Sequence, residues 1–182
     1  MSGIINQYTH IIGLDNGIGA TGIALLGPAN LVRYDKLPTK VELNYQKDEQ
    51  HITRLNTKEF QQLLLSWNLP IETTMVYMER PMINAMRFKA SMSACRCFEA
   101  TLIVLEELNL QHTIIDSKQW QRILLPGIEG SIELKKASLE LGRKLYPTLK
   151  LKKDADSLLI AHWVLNHSAV DTKPKLKTKK TL

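Results

Sequence analysis

The sequence has few of the features that mark membrane proteins, secreted disulfide-rich proteins or zinc proteins. Its only cysteines are Cys95 and Cys97. They lie two residues apart in a helical pattern, so their side chains point to different sides, which suits neither a disulfide nor a zinc site. No apolar run approaches the roughly 20 residues of a membrane span, and Met1–Tyr8 lacks the charged start and apolar stretch of a signal peptide. We therefore expect a reduced, cytosolic protein that does not enter a membrane.

The main part of the chain also has little net charge. The formal net charge is +6, and five lysines near the C-terminus supply most of it, at Lys173, Lys175, Lys177, Lys179 and Lys180. With 182 residues, of which 44% are hydrophobic, the chain can bury a full core as one domain. We predict that this domain covers residues 1–168 and that 169–182 form a basic, disordered tail. Such a tail is either a solvated end or an arm that contacts phosphates.

The stretch His10–Leu26 predicts a hairpin with one acid at its turn. An apolar strand leads into Asp15, the glycines after it predict a tight turn, and Thr21–Leu26 returns as a second apolar strand. Asp15 is the residue around which the rest is arranged. A carboxylate at the end of a buried strand needs a cation or hydrogen-bond donors, because its desolvation is costly. The alternative is that Asp15 only starts the turn.

The remaining pattern predicts an α/β domain with a five-stranded mixed sheet flanked by helices. Further strands are predicted at Leu31–Tyr34, Thr74–Met78 and His112–Ile115, with Thr39–Leu55 mostly loop. Helices are predicted between Asn56 and Pro70, over Asn84–Leu108, from a cap at Asp116 to Leu124, from a cap at Ser131 to Tyr146, and over Ala155–Asn166. Antiparallel hairpins followed by parallel strands with helical connections give a mixed sheet that is covered on both faces.

Acidic residues end two of these strands and begin the last helix. If the first and fourth strands lie side by side in parallel, Asp15 and Glu79 meet at one edge, where Asp154 and Asp156 can join them. Like charges this close raise one another's pKa, so the cluster makes sense when divalent cations occupy it. Oxygen-only ligands favour Mg²⁺ or Mn²⁺. Two such ions would support the attack of water on a phosphodiester, which is the chemistry of a nuclease.

The three acidic motifs, in this order and spacing, resemble those of RuvC-type Holliday junction resolvases. The motifs are Gly13-Leu14-Asp15-Asn16-Gly17, Met75–Pro81 around Glu79, and Lys153–Ala161 around Asp154 and Asp156. The branch found in phages and organelles is similar in two further features. A Trp-containing helix follows the fifth strand at Asp116–Gln121, and a lysine-bearing helix ends in Tyr146-Pro147. The resemblance covers roughly residues 10 to 165.

This resemblance implies an RNase H-like fold, a homodimer, and paired Mg²⁺-dependent nicking of four-way junctions in double-stranded DNA, with two ions per active site and Mn²⁺ as a substitute. It implies a DNA-associated protein in the cytoplasm of a bacterium or phage-infected cell rather than in an organelle. Asp15, Glu79 and Asp156 match metal ligands of the family. Asp154 lies two residues before the last acid, where the family has at least three, so it is either the fourth ligand or the helix cap.

Basic residues near the acids are candidates for phosphate contacts. Lys135 and Lys136 start a helix near the expected cleft, where a lysine would neutralise developing charge, or they form a solvated face balanced by Glu133 and Glu140. Met82 stands where bacterial members of the family have an aromatic residue that probes the junction centre. The predicted DNA-binding residues are Arg80, Met82, Arg87, Lys89, Lys118, Lys152 and Lys153.

Other functions remain open at this point. A non-catalytic protein that binds branched DNA would keep the fold without a competent fourth ligand, as the spacing of Asp154 and Asp156 allows. A nuclease for flaps, forks or RNA–DNA hybrids would use the same acids. The Gly-Leu-Asp-Asn-Gly hairpin also resembles the phosphate-binding start of actin-like ATPases and sugar kinases. Those nucleotide-binding proteins need a second domain and a second glycine-rich loop, which this sequence lacks.

Overall fold

In the computed structural model, which describes residues 8–17, 20–43 and 51–167, strands precede and alternate with helices as predicted. The strands are β1 (His10–Asn16), β2 (Ala20–Gly27), β3 (Leu31–Leu43), β4 (His51–Leu55), β5 (Thr74–Glu79) and β6 (Gln111–Ile115). The helices are α1 (Thr57–Ser66), α2 (Phe88–Glu107), α3 (Ser117–Leu124), α4 (Ser131–Leu145) and α5 (Asp156–His167). The basic tail predicted over 169–182 lies outside the described residues.

The strands form one mixed sheet in the order β4-β3-β2-β1-β5-β6. Strands β1 to β4 pair with one another as antiparallel neighbours. The chain then crosses over through α1, and β5 pairs in parallel with β1 while β6 pairs in parallel with β5. The predicted side-by-side arrangement of the first strand and the Thr74 strand is confirmed.

The sheet is larger at one edge than the sequence pattern predicts. The five predicted strands are present, but β3 continues to Leu43, and β4 adds a sixth strand within the described residues. The predicted loop over Thr39–Leu55 is therefore wrong at both ends, and residues 44–50 lie outside the described residues. An edge ribbon with scattered apolar residues lacks the clear alternation that marks a strand. β3 runs through Pro38, because a proline removes one N–H donor but keeps the backbone extended.

The predicted helix caps are only partly correct. Asp116 caps α3 as expected: its carboxylate accepts from the N–H of Lys118 at 2.9 Å, and the side chain of Gln119 accepts from the N–H of Asp116 at 2.7 Å. Ser131 is not a cap. It is the first residue of α4, and Gly130 holds the cap position with φ 88°, a left-handed conformation that glycine adopts readily. A 3₁₀ turn at Ala85–Arg87 precedes α2.

Each face of the sheet is covered by its own hydrophobic core. On one face, β-strand residues such as Leu14 pack with Phe60 of α1 and Leu105 of α2. On the other face, residues such as Ile11 pack with Trp120 of α3 and Leu158 of α5. Within the described residues, no helix is both long and apolar enough to cross a membrane.

Candidate active site

The pairing of β1 with β5 brings two acids to the same end of neighbouring strands. Leu14 is the register partner of Met78, so the residues that follow, Asp15 and Glu79, lie side by side at the C-terminal ends of β1 and β5. Side chains alternate between the faces of a sheet. Leu14 and Met78 belong to the core under α1 and α2, and the two acids therefore face the opposite side, which α5 covers.

Helix α5 comes unusually close to β1 because Gly13 has no side chain. A Cβ built on Gly13 would lie 2.0 Å from the carbonyl oxygen of Ser157 and 2.8 Å from the backbone nitrogen of Ala161, distances that real atoms do not adopt. The first turn of α5 thus lies against the strand two residues before Asp15. This contact carries Asp156, the first residue of α5, toward the ends of β1 and β5.

We define the resulting acid cluster as Asp15, Glu79, Asp154 and Asp156. Its carboxylates interact electrostatically and change one another's pKa values. Burial raises the pKa of Asp15 to about 7, and the carboxylates of Asp156 and Asp154 contribute to this rise. Burial also raises the pKa of Glu79 to about 8, with contributions from Asp15 and Asp156. The pKa of Asp156 is raised by burial as well. Four acids from three distant segments are therefore close enough to repel one another.

Three of the four acids are held by protein partners. Asp156 Oδ1 accepts a hydrogen bond from Ser138 Oγ of α4, and Glu79 Oε2 accepts from Trp120 Nε1 of α3 at 3.3 Å. Asp154 Oδ2 forms an ion pair with Lys36 Nζ of β3. Its second oxygen, Oδ1, is buried and has no hydrogen-bond partner.

These contacts exclude one of the two roles considered for Asp154. A helix cap requires a side-chain oxygen that accepts from a backbone N–H of the first turn. Asp154 Oδ2 is taken by Lys36, and Oδ1 accepts no hydrogen bond. The interpretation of Asp154 as the cap of α5 is therefore wrong, and its role as a fourth ligand stays a prediction.

The acid cluster fits a divalent cation in donor chemistry and charge. Its donors are carboxylate oxygens, which Mg²⁺ and Mn²⁺ prefer, and the buried Asp154 Oδ1 without a partner is such a donor. In the described part of the chain, no three His, Cys, Asp or Glu side chains are arranged to hold a metal ion. This agrees with the partners just described, since Ser138, Trp120 and Lys36 hold three acids. These carboxylates would have to turn from those partners to share an ion.

Two lysines act on the cluster, and sequence reasoning identified one of them. The positive charges of Lys36 and Lys135 both lower the pKa of Asp15 and of Asp156. Lys135 was a candidate together with Lys136, which is exposed on the same helix. Lys36 was missed because the predicted third strand ended at Tyr34. The register of the sheet would have found it, since Lys36 lies opposite Gly22, and Gly22 lies opposite Asp15.

The residues that follow Glu79 form an exposed surface beside the acid cluster. We call Arg80–Lys89 the β5–α2 segment. Its apolar side chains face solvent, with Met82 80% and Met86 92% exposed, and it contains the predicted DNA contacts Arg80, Met82, Arg87 and Lys89, all exposed. The other predicted DNA contacts, Lys118, Lys152 and Lys153, are also exposed, at the start of α3 and just before Asp154.

Comparison with solved structures identifies this fold. No protein-family model matches the sequence, and no curated protein matches it. The structure is similar to Thermus thermophilus RuvC in complex with a Holliday junction substrate, with a TM-score of 0.55 and 14% identity over 85% of this chain and 90% of that chain. A second structure of Thermus thermophilus RuvC matches with a TM-score of 0.50 and 14% identity, over 84% of this chain and 90% of that chain. A fowlpox virus Holliday junction resolvase matches with a TM-score of 0.45 and 11% identity, over 84% of this chain and 92% of that chain. The predicted RNase H-like fold is confirmed.

Proposed function

We propose that this protein is a RuvC-type, structure-selective endonuclease that resolves four-way DNA junctions by metal-dependent hydrolysis of phosphodiester bonds. The observation that carries this proposal is the acid cluster: carboxylates from β1, β5 and the start of α5 lie at one edge of the sheet, where Asp156 raises the pKa of Asp15 and both of them raise the pKa of Glu79. A protein gains nothing in stability by collecting like charges in a buried place. Such a cluster is therefore most simply explained by a function that needs it.

The roles of the residues follow from their positions. Asp15, Glu79, Asp156 and Asp154 would hold Mg²⁺ or Mn²⁺. Two bound ions would supply an activated water and stabilise the leaving oxygen. Lys135, which already lowers the pKa of Asp15 and Asp156, would hold a phosphate oxygen against the cluster. Trp120 fixes one oxygen of Glu79 by its indole N–H.

The basic residues around the cluster support a nucleic acid as the substrate. Arg80 directly follows Glu79, and Arg87 and Lys89 follow on the exposed β5–α2 segment. Such side chains contact phosphates and fix the register of a protein on DNA. The fold shared with an RuvC structure that contains junction DNA favours a branched duplex over flaps, forks and RNA–DNA hybrids.

The test is cleavage of a synthetic four-way junction in Mg²⁺ by the wild type and by Asp15→Asn. We expect the substitution to reduce cleavage by at least about 1,000-fold, while the junction affinity stays within about twofold, because the surface that contacts phosphates is unchanged. Glu72→Gln is the matched control, since Glu72 is an exposed acid that precedes β5. Retained cleavage in Asp15→Asn, or cleavage of a fork or hybrid in preference to the junction, would contradict the proposal.

Paired cleavage requires two active sites, so we also propose that the protein acts as a homodimer. Analytical ultracentrifugation of the full chain measures the mass directly. A junction built into a supercoiled plasmid then distinguishes paired from single nicks, because paired nicks linearise the plasmid within one binding event. A monomer that produces only nicked circles would contradict this part of the proposal.

A second candidate is a non-catalytic protein that binds branched DNA. Two observations favour it: the ion pair that Asp154 makes with Lys36, and the lack of a three-ligand arrangement among the described residues. The same assays separate the candidates. Junction binding by the wild type with no cleavage in Mg²⁺ or Mn²⁺ supports the binder.

A further inference from the structure

Lys36 lies in the acid cluster but has no part in the hydrolysis proposed above. It lies on β3, two strands away from β1 across β2, and its ammonium group pairs with Asp154 Oδ2. The pair lies at the surface edge of the cluster, with 34% of the Lys36 side chain and 17% of the Asp154 side chain exposed. Lys36 is therefore a fixed cation at the edge of a site that otherwise collects negative charge.

The surroundings of Asp154 point to a role beyond a surface ion pair. Tyr34, on the same face of β3, donates a hydrogen bond to the backbone oxygen of Asp154 at 3.2 Å, which fixes the chain at this residue. Asp154 Oδ1 is buried and accepts no hydrogen bond. A buried carboxylate oxygen without a partner is costly, so this oxygen is available to a cation that is not part of the protein.

Lys36 also interacts with the acids to which it is not bonded. Its charge lowers the pKa of Asp15 and of Asp156, so it lies within electrostatic reach of both. A single ammonium group thus offsets part of the repulsion among three of the four carboxylates. A divalent cation in the cluster would do the same with twice the charge, and the two cations would repel each other.

We propose that Lys36 is an internal counter-ion of the acid cluster in the metal-free protein, and that a divalent cation binds by displacing the Lys36 ammonium group from Asp154. This inference rests on the proposed function, because it takes the acid cluster as the metal site. Lys36 is then a positioning residue: it keeps the cluster folded and Asp154 in place before the metal arrives, and it sets the metal affinity by competition.

Removal of the Lys36 charge should strengthen metal binding rather than weaken it. Titration of Mn²⁺ into the full-length protein, followed by calorimetry or by the electron paramagnetic resonance of free Mn²⁺, measures the affinity without any cleavage assay. We expect Lys36→Met to bind Mn²⁺ about tenfold more tightly than the wild type, because a competing positive charge has been removed. Lys36→Arg keeps the charge and should stay within about threefold of the wild type.

Two further variants show whether the effect comes from the pair with Asp154. Lys40→Met removes an equal charge from the same strand at roughly 13 Å from Lys36, and it should leave the affinity unchanged. In an Asp154→Asn background, Lys36→Met should tighten Mn²⁺ binding by clearly less than in the wild type, because the ion pair that the metal displaces does not exist there and only the repulsion between the two cations is relieved. In EDTA, Lys36→Met should lower the melting temperature, since it leaves Asp154 without its partner, and adding Asp154→Asn should recover part of the loss.

The outcomes separate this inference from the proposed function. If Asp15→Asn removes Mn²⁺ binding but Lys36→Met binds as the wild type does or more weakly, the acid cluster is a metal site and the counter-ion role is wrong. If the wild type has no Mn²⁺ site that Asp15→Asn removes, both the metal site and the displacement are wrong. Tighter binding in Lys36→Met that is clearly smaller in the Asp154→Asn background supports displacement, whereas equal tightening in both backgrounds would show that Lys36 acts only by its charge and would overturn the displacement.

Discussion

The acid cluster and the β5–α2 segment meet at Glu79 and Arg80, which are consecutive in sequence, but the two regions are opposite in physical character. The cluster is enclosed, its carboxylates have raised pKa values, and three of its members are bonded to Ser138, Trp120 and Lys36. The segment begins at the next residue, Arg80, and is exposed along most of its length. The carboxylates of the first region are fixed by partners from other elements, whereas most side chains of the second face solvent.

Under the proposed function, this difference would assign chemistry and binding to separate parts of the surface. Groups that must keep a costly arrangement need a rigid frame, which the close contact of α5 with Gly13 supplies. Groups that contact a flexible duplex need exposure and charge instead. Substitutions in the first region should therefore change stability and catalysis, and substitutions in the second should change affinity.

The largest difference is expected between Gly13→Ala and Met86→Ala. The added methyl group of Gly13→Ala would collide with the backbone of α5 at Ser157 and Ala161, so the helix must move away from β1. We expect a loss of about 3 kcal/mol in the free energy of unfolding and loss of cleavage. Met86 is 92% exposed, and its truncation should change stability by less than about 0.5 kcal/mol. Urea unfolding of both variants measures the comparison, and equal stabilities would contradict it.

The same contrast explains which parts of the site could be predicted from the sequence. The hairpin of β1 and β2 and the strand that ends at Glu79 were predictable, because apolar runs that stop at an acid and a turn residue are local signals. Their parallel pairing followed from the order of strands and helices. Asp15 and Glu79 could thus be assigned to one edge of the sheet from the sequence alone.

The partners of the acids could not be predicted in this way. Lys36 reaches Asp154 only because β3 continues past Tyr34 and aligns with β2 in one register, and a register is set by contacts across the sheet. Ser138 lies in the middle of a helix, where the pattern predicts only a buried small residue. Its bond to Asp156 depends on how α4 packs on α5. Trp120 lies in the core, but its N–H contact with Glu79 is tertiary.

A second effect, of intermediate size, is the pH dependence of stability without metal. The folded protein holds protons on Asp15 up to a pKa of about 7 and on Glu79 up to about 8, above their ordinary values of 3.8 and 4.5. The folded state therefore binds more protons than the unfolded state. This contribution to stability is complete below pH about 4 and is lost as the pH rises through the folded pKa values.

We therefore expect the free energy of unfolding in EDTA to fall between pH 5 and 8, by on the order of 1 kcal/mol per pH unit. Asp15→Asn should flatten this dependence, and Mg²⁺ at pH 8 should restore stability, because it binds the folded state. Arg87→Gln, in the exposed segment, should keep the wild-type slope. Unfolding in urea at each pH measures these changes. A metal-free protein that becomes more stable from pH 5 to 8 would show that the carboxylates are charged and well compensated.

The smallest effect should come from the basic residues of the exposed segment. Replacing Arg87 and Lys89 together by glutamine should weaken junction binding and lower the slope of log affinity against log salt by about 2, because each side chain neutralises one phosphate. Cleavage at saturating junction should stay within about threefold of the wild type, because the acid cluster is untouched. Lys58→Gln is the control, since Lys58 is an exposed lysine on α1, which packs on the sheet face opposite the acids. If the cleavage rate at saturating junction falls in parallel with the affinity, the acid cluster and the β5–α2 segment do not have separate roles. The segment would then orient the scissile phosphate as well as hold the duplex.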